Sequence, residues 1–236
     1  GLFGAGNVGA SITKFIGPPL IAGTAGMTFV FGIQGGWRLV PVIYSVLLIV
    51  LAVLTWAIVP RHDRMAGQSK PIGEMLAPLK HLRVWRLSLY YVAVFGAYVA
   101  LSAWLPKYYV DNFGVELRTA ALLTALFIFP ASLLRPVGGI FSDRYGARRV
   151  MYWTFGFSML FLFMLSYPPT DYVIQGKDGP IAFSTSMGVW PFIATLFALG
   201  FFMSLGKAAV FKHIPVYYPN HVGAVGGLVG MIGGLR

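Results

Sequence analysis

The interval between Arg38 and Arg61 carries no charged side chain, and neither does the interval between Arg86 and Lys107. Both are apolar almost throughout, and about 20 such residues suffice for a helix to cross a bilayer core. A backbone crossing hydrocarbon must satisfy its own hydrogen bonds, which leaves helices or closed barrels as the options. Five further intervals read the same way. One runs from the N-terminus past Pro18-Pro19 to about Phe31, with Lys14 its only charge. Another lies between Arg118 and Asp143, interrupted only by Arg135. A third follows Arg149 and ends before Pro168-Pro169, and a fourth covers about Val189 to Val216, interrupted by Lys207 and Lys212. The last begins near Val222. The expected fold class is therefore all-α: a polytopic bundle of transmembrane helices.

Composition excludes other classes. Charged residues make up 11% of the 236, against about 25% in a typical soluble domain. The formal net charge is +11, a value that in a soluble protein would suggest nucleic acid. Here the basic residues are divided among apolar stretches and form no single patch, so no nucleic-acid partner is expected. The sequence has no Cys, which excludes disulfides, thiol catalysis and Cys-based metal sites. The sequence opens Gly1-Leu2-Phe3 and stops at Arg236 inside a glycine-rich run, and reads as a fragment of a longer protein.

Loop charge predicts the topology. Arg61, Arg64, Lys70, Lys80, Arg83 and Arg86 follow the second apolar interval, and Arg144, Arg148 and Arg149 follow the fourth. Lys212 and His213 adjoin the turn after the sixth, and the alternate loops carry fewer cations. The basic set belongs on the cytoplasmic side. The polar stretch 61–86, with Gly67, Gln68 and Ser69, reads as a connection between two bundles, 1–60 and 87–236. The segment from Tyr167 to Ser186 reads as an external, irregular loop.

The seven acidic residues are expected outside the spans, whereas Arg135 and Lys207 fall inside them. An intramembrane cation is costly and normally has a partner. A permeating anion would serve. Arg135 could instead snorkel toward the inner surface or pair with an acid elsewhere in the full protein; Lys207 reads as substrate contact, gate or snorkelling cation. Gly223, Gly226, Gly227, Gly230, Gly233 and Gly234 recur at spacings of three and four, which puts them along one helix face. That face can pack closely on a neighbour, or it can bring backbone dipoles to a ligand. Asn7, polar among small residues, is an interhelical hydrogen bond or a ligand donor. Tyr91 and Phe95, four apart, share a face as packing or as a binding wall.

The turn Gly139-Ile-Phe-Ser-Asp143-Arg144-Tyr-Gly146-Ala-Arg148-Arg149 is more specific. Asp143 can cap the next helix or face its positive end, Gly146 permits a tight turn, and the arginines lie at the inner surface. Such a cluster can hold two helices together in one state of a transporter and release them in another. This turn resembles the signature loop of the major facilitator superfamily. Gly4-Ala-Gly-Asn7-Val-Gly9-Ala and Val222-Gly-Ala-Val-Gly226-Gly227-Leu-Val-Gly230-Met-Ile-Gly233-Gly234 resemble, in order, two signatures of the nitrate/nitrite porter family (NarK-type). The resemblance covers essentially the whole chain. It implies helices five to eleven of twelve and a multi-pass protein of the inner (plasma) membrane. It implies that Arg135, Tyr91, Phe95, Asn7, Gly227 and Gly230 surround nitrate, with a second arginine in another part of the protein. Nitrate, nitrite, membrane lipid and protons are the implied partners of a monomer, with no cofactor. Lys207 departs from the Gly-Asn-Gly expected in the tenth helix, and Arg236 from a further glycine. Coupling stays open between nitrate/nitrite exchange and proton symport. Two other readings are a facilitator-fold carrier for another anion or a drug, and a membrane redox subunit. The second would need His within spans for haem, while His62, His81, His213 and His221 sit at loops and turns. No nucleophile-base-acid set or metal cluster is evident, so an enzyme is not expected.

Overall fold

The computed structural model describes residues 12–13, 16–29, 32, 34–58, 71–177 and 179–234. Its helices are α1 Leu39–Ile58, α2 Ile72–Leu76, α3 Leu82–Tyr91, α4 Ala97–Phe113, α5 Leu117–Leu133, α6 Arg135–Tyr145, α7 Ala147–Ser166, α8 Val189–Tyr217 and α9 Val222–Gly233. Among the described residues, five continuous helical stretches are long and apolar enough to cross a membrane: Gly36–Ile58, Leu82–Phe113, Leu117–Tyr145, Ala147–Ser166 and Val189–Tyr217. The bundle is the all-α one expected from the charge-free intervals.

The differences from the sequence reading have local causes. Residues 16–24 are helical, but the chain then turns through Gly26 (φ 80°) and forms a bridge between Thr28 and Gln34, so this helix ends at Thr24 and is shorter than the sequence predicts. The third span begins at Leu82, which puts Arg83 and Arg86 on its first turns and not in the connection before it. It also runs on to Phe113, so Asp111 lies on a helix, where it pairs with Lys107 at 2.6 Å. Asp143 likewise belongs to α6. Polar residues extend these helices beyond the hydrocarbon length, because a helix needs no apolar residues once it leaves the core. The segment after α7 is not irregular. Strands β1 Thr170–Gly176 and β2 Gly179–Thr185 pair antiparallel, from Thr170 with Thr185 to Gly176 with Gly179. Gly179 turns the hairpin with φ 129°, a conformation that side chains avoid.

Two spans are interrupted. Between α3 and α4, Val92–Gly96 winds as a π-helix, a feature that re-aims side chains and recurs at functional sites. Between α5 and α6, Leu134 leaves the helical region (φ −80°, ψ 6°). Pro136 has no N–H to donate to Ser132 and its ring would crowd that carbonyl, whereas in the first turn of a new helix it is tolerated. The break therefore falls immediately before Arg135.

Helix α8 is the axis of the bundle, packed against α7, α5 and α6. Leu196, Leu199, Met203, Leu205, Ala209 and Val210 on it are buried. Helix α9 packs on α3. Helix α1 buries no residue. Its apolar surface is matched to lipid or to other helices, where outward-facing apolar side chains are the rule.

Candidate functional site

Arg135 opens α6 directly after the break and is 8% exposed. It has not snorkelled to an aqueous surface. Its guanidinium lies beside Tyr91 in the cavity lining and 5.2 Å from the centroid of the Phe211 ring. Tyr91 ends α3 and Phe95 sits in the π-helical turn. Their rings stack at 5.0 Å with 9° between planes. Phe211, from α8, meets Tyr91 edge to face at 5.0 Å and 86°. Three spans thus bring one cation and three aromatic rings to one place. Edge-to-face and offset arrangements are the favoured ones for such rings, so each ring fixes the next.

These groups wall a cavity of about 580 Å³, closed on another side by Gly223, Gly226, Gly227 and Gly230 of α9. A Cβ built at Gly223, Gly227 or Gly230 would meet no atom within 4 Å, so these glycines front open space. Gly233 is different: a Cβ there would lie 2.2 Å from Cδ1 of Tyr91. One glycine face therefore does two jobs. Its last turn admits the Tyr91 ring, and its earlier turns leave room in the cavity.

Arg135 and Phe211 also border a second cavity of about 440 Å³, lined further by Gly139, Asp143, Ala208 and Lys212. Asp143 does not cap α7; no side chain caps that helix. Its carboxylate instead accepts from Lys212 Nζ of α8 at 2.5 Å. The expected tie between two helices is thus made across α6 and α8, by an acid and a base whose side chains remain 64% and 44% exposed. Gly146 makes the tight turn with φ 87°. Arg144, Arg148 and Arg149 are exposed; Arg148 Nε donates to the Tyr152 hydroxyl at 3.0 Å.

Lys207 borders neither of these cavities. It is fully buried, donates to the backbone oxygen of Ala131 at 2.9 Å, and places Nζ 3.2 Å from the centroid of the Tyr98 ring. Direct substrate contact, one of the readings open for it, does not fit this placement. Asn7 lies outside the described residues. Phe211 and Lys212 escaped sequence reasoning as site residues. Phe211 is one of 19 phenylalanines, and only its spacing of four from Lys207, on the same span, sets it apart.

The arrangement can hold a small anion. Arg135 presents a positive, planar donor set, and the rings of Tyr91, Phe95 and Phe211 wall the cavity beside it. The whole chain has close relatives in sequence. It matches the family model described as Major Facilitator Superfamily over residues 1–235. It is 59% identical over 237 residues to the probable nitrate/nitrite antiporter NarK1 of Thermus thermophilus, covering 100% of this chain and 54% of that protein. Identity to the nitrite extrusion protein of Bacillus subtilis (strain 168) is 30% over 235 residues, 52% of that protein. Identity to the probable nitrate transporter NarT of Staphylococcus haemolyticus (strain JCSC1435) is 28% over 240 residues, 53% of that protein. The chain spans about half the length of the curated relatives it matches.

Proposed function

This chain belongs to the Major Facilitator Superfamily, and we propose that it is part of a nitrate/nitrite transporter of the inner membrane that works by alternating access. The observation that carries the proposal is Arg135, buried in a membrane span beside a cavity and faced by Tyr91, Phe95 and Phe211. The names of its relatives favour the same substrates.

Nitrate is flat, delocalised and weakly hydrated. A guanidinium is also flat, carries its donors in a fixed fork, and is itself weakly hydrated. The two therefore match in shape as well as in charge. Tyr91 lies beside Arg135 and helps to fix the fork. The stacked Tyr91–Phe95 pair offers a planar wall against which the anion can lie. Gly227 and Gly230 leave space and expose backbone dipoles, and the family resemblance adds Asn7 as a further donor. The stretch that ends before Leu82 connects the two halves, and their rocking opens the site to either side in turn. Arg135 and Phe211 border both cavities, so an anion held at Arg135 can be passed to the side of Asp143 and Lys212 when that pair parts.

Reconstitution of the full-length protein in liposomes, with counterflow of external nitrate against internal nitrite, tests this. Nitrate uptake that depends on internal nitrite or nitrate is expected. Absence of nitrate uptake, with uptake of another anion instead, would overturn the substrate assignment.

A further inference from the structure

Lys207 is a fully buried ionisable group that the anion site does not use. Its surroundings are unusual for a cation in a span. From the end of α5 it meets the backbone oxygen of Ala131, one helical turn before Arg135 at the head of α6. From the π-helical turn and α4, the groups are the ring faces of Phe95 at 5.7 Å and Tyr98 at 3.2 Å. The Tyr98 hydroxyl is occupied by Ser132 at 2.9 Å. From α7, Thr154 comes against the neighbouring Gly206 and carries no charge. The Ala131 oxygen is within reach because the helix is broken three residues later, at Leu134.

We propose that Lys207 is the proton-binding site of this transporter, taking up one proton with the anion from the outer side and releasing it with the anion on the inner side. The inference rests on the reading of Arg135 as the anion site. An amine and an ammonium can each donate to Ala131, so that contact survives either protonation state. The ring face of Tyr98 favours the cation, whereas desolvation and the nearby Arg135 oppose it. A bound anion at Arg135 offsets that repulsion. Proton and anion therefore favour each other's binding, and the coupling is reciprocal. After release the empty carrier returns with Lys207 as the neutral amine. One negative and one positive charge move together, so net uptake is electroneutral at this site. Exchange of one anion for another bypasses the empty carrier and needs no proton. Both coupling modes then follow from one pair of residues.

The test uses the full-length protein in liposomes, comparing wild type with Lys207→Gln and Lys207→Arg. Two quantities are measured on each: nitrate accumulation driven by an inward proton gradient, and nitrate/nitrite counterflow with no gradient. One proton per anion gives the wild type about tenfold accumulation for each unit of pH difference. In both variants the ratio of gradient-driven accumulation to counterflow should fall at least about tenfold, since glutamine binds no proton and arginine releases none. Three results would overturn the proposal: variants that keep the wild-type ratio, a wild type that exchanges anions but gains nothing from the gradient, or folded variants that lose counterflow and accumulation in equal measure. Absence of nitrate counterflow in the wild type would instead defeat the anion-site reading, so the two failures are distinguishable.

Discussion

Replacing Arg135 is the most direct perturbation of the proposed site. Arg135 is 8% exposed, set beside Tyr91 and seated over Phe211. An anion held there would be a desolvated partner in a charge-assisted pair. Removing one member of such a pair costs about 2 to 5 kcal/mol, which is about 30- to 4,000-fold in Kd. Arg135→Ala in the full-length protein should therefore raise the nitrate Kd into that range and depress uptake. The same substitution also opens space beside Tyr91 and Phe211, so a second variant separates recognition from packing. Arg135→Lys keeps the positive charge but replaces the fork with a point charge. Loss of one hydrogen bond to a charged group is about 1.5 to 3 kcal/mol, or about 10- to 150-fold. Nitrate binding to purified protein by calorimetry, with initial uptake rates in liposomes and a thermal-shift control for folding, reads each quantity. If either folded variant binds nitrate within about threefold of wild type, a margin of only about 0.7 kcal/mol, Arg135 is not the anion site.

Other substitutions probe the supporting geometry. Tyr91→Phe keeps the stacked ring and removes the hydroxyl of a residue beside Arg135, so a weakening of nitrate binding by about tenfold is expected, with little change in melting temperature. Gly233→Ala drives a Cβ into the Tyr91 ring, with the ideal contact at 2.2 Å; a destabilisation of about 1 to 3 kcal/mol should appear in denaturant or thermal melts. Gly230→Leu points into open space, so it should fill the cavity and abolish uptake while the protein stays folded, a contrast with Gly233 that a packing role for the whole glycine face would not give. Asp143→Asn removes a largely exposed ion pair with Lys212, worth about 0 to 1 kcal/mol. Stability should barely move, but labelling of a cysteine placed at Ala208 should quicken if the pair latches the inner cavity.

Much of this was legible because a membrane makes charge placement expensive. The charge-free intervals predicted the spans, and Arg135 stood out as a cation inside one. Tyr91, Phe95, Gly227 and Gly230 came from a family resemblance, and the fold brings all four to the Arg135 cavity. Other features were hidden for physical reasons. The break at Leu134 follows from Pro136, but prolines within membrane helices are common and often tolerated, so the residue alone did not predict it. The π-helical turn at Val92–Gly96 has no composition signal. Asp143 and Lys212 are 69 residues apart in sequence, and a pair at that distance becomes visible only once two helices are packed. The partner of Lys207 is a backbone oxygen, which every residue possesses and no sequence marks. The hairpin after α7 is hidden in the sequence because proline and glycine signal an irregular loop as readily as a turn, and only the pairing of the strands shows that Gly179 serves one.

The two buried cations share a design that bears on specificity. The groups around them are ring faces, a phenol and a backbone oxygen. A carboxylate in those places would stabilise the cations more strongly, but it would also cancel their charge and compete with an incoming anion for the same donors. A ring quadrupole or a carbonyl dipole lowers the cost of the cation without neutralising it. Positive potential is thus left for a ligand. The interruptions at Val92–Gly96 and Leu134 serve this end. One turns Phe95 toward Tyr91, and the other brings Arg135 to the head of a new helix with the Ala131 oxygen turned to Lys207. The helix irregularities and the buried charges therefore coincide because each makes the other tolerable. On the proposed reading, a small anion bound at Arg135 meets positive potential that no carboxylate in the lining of that cavity cancels.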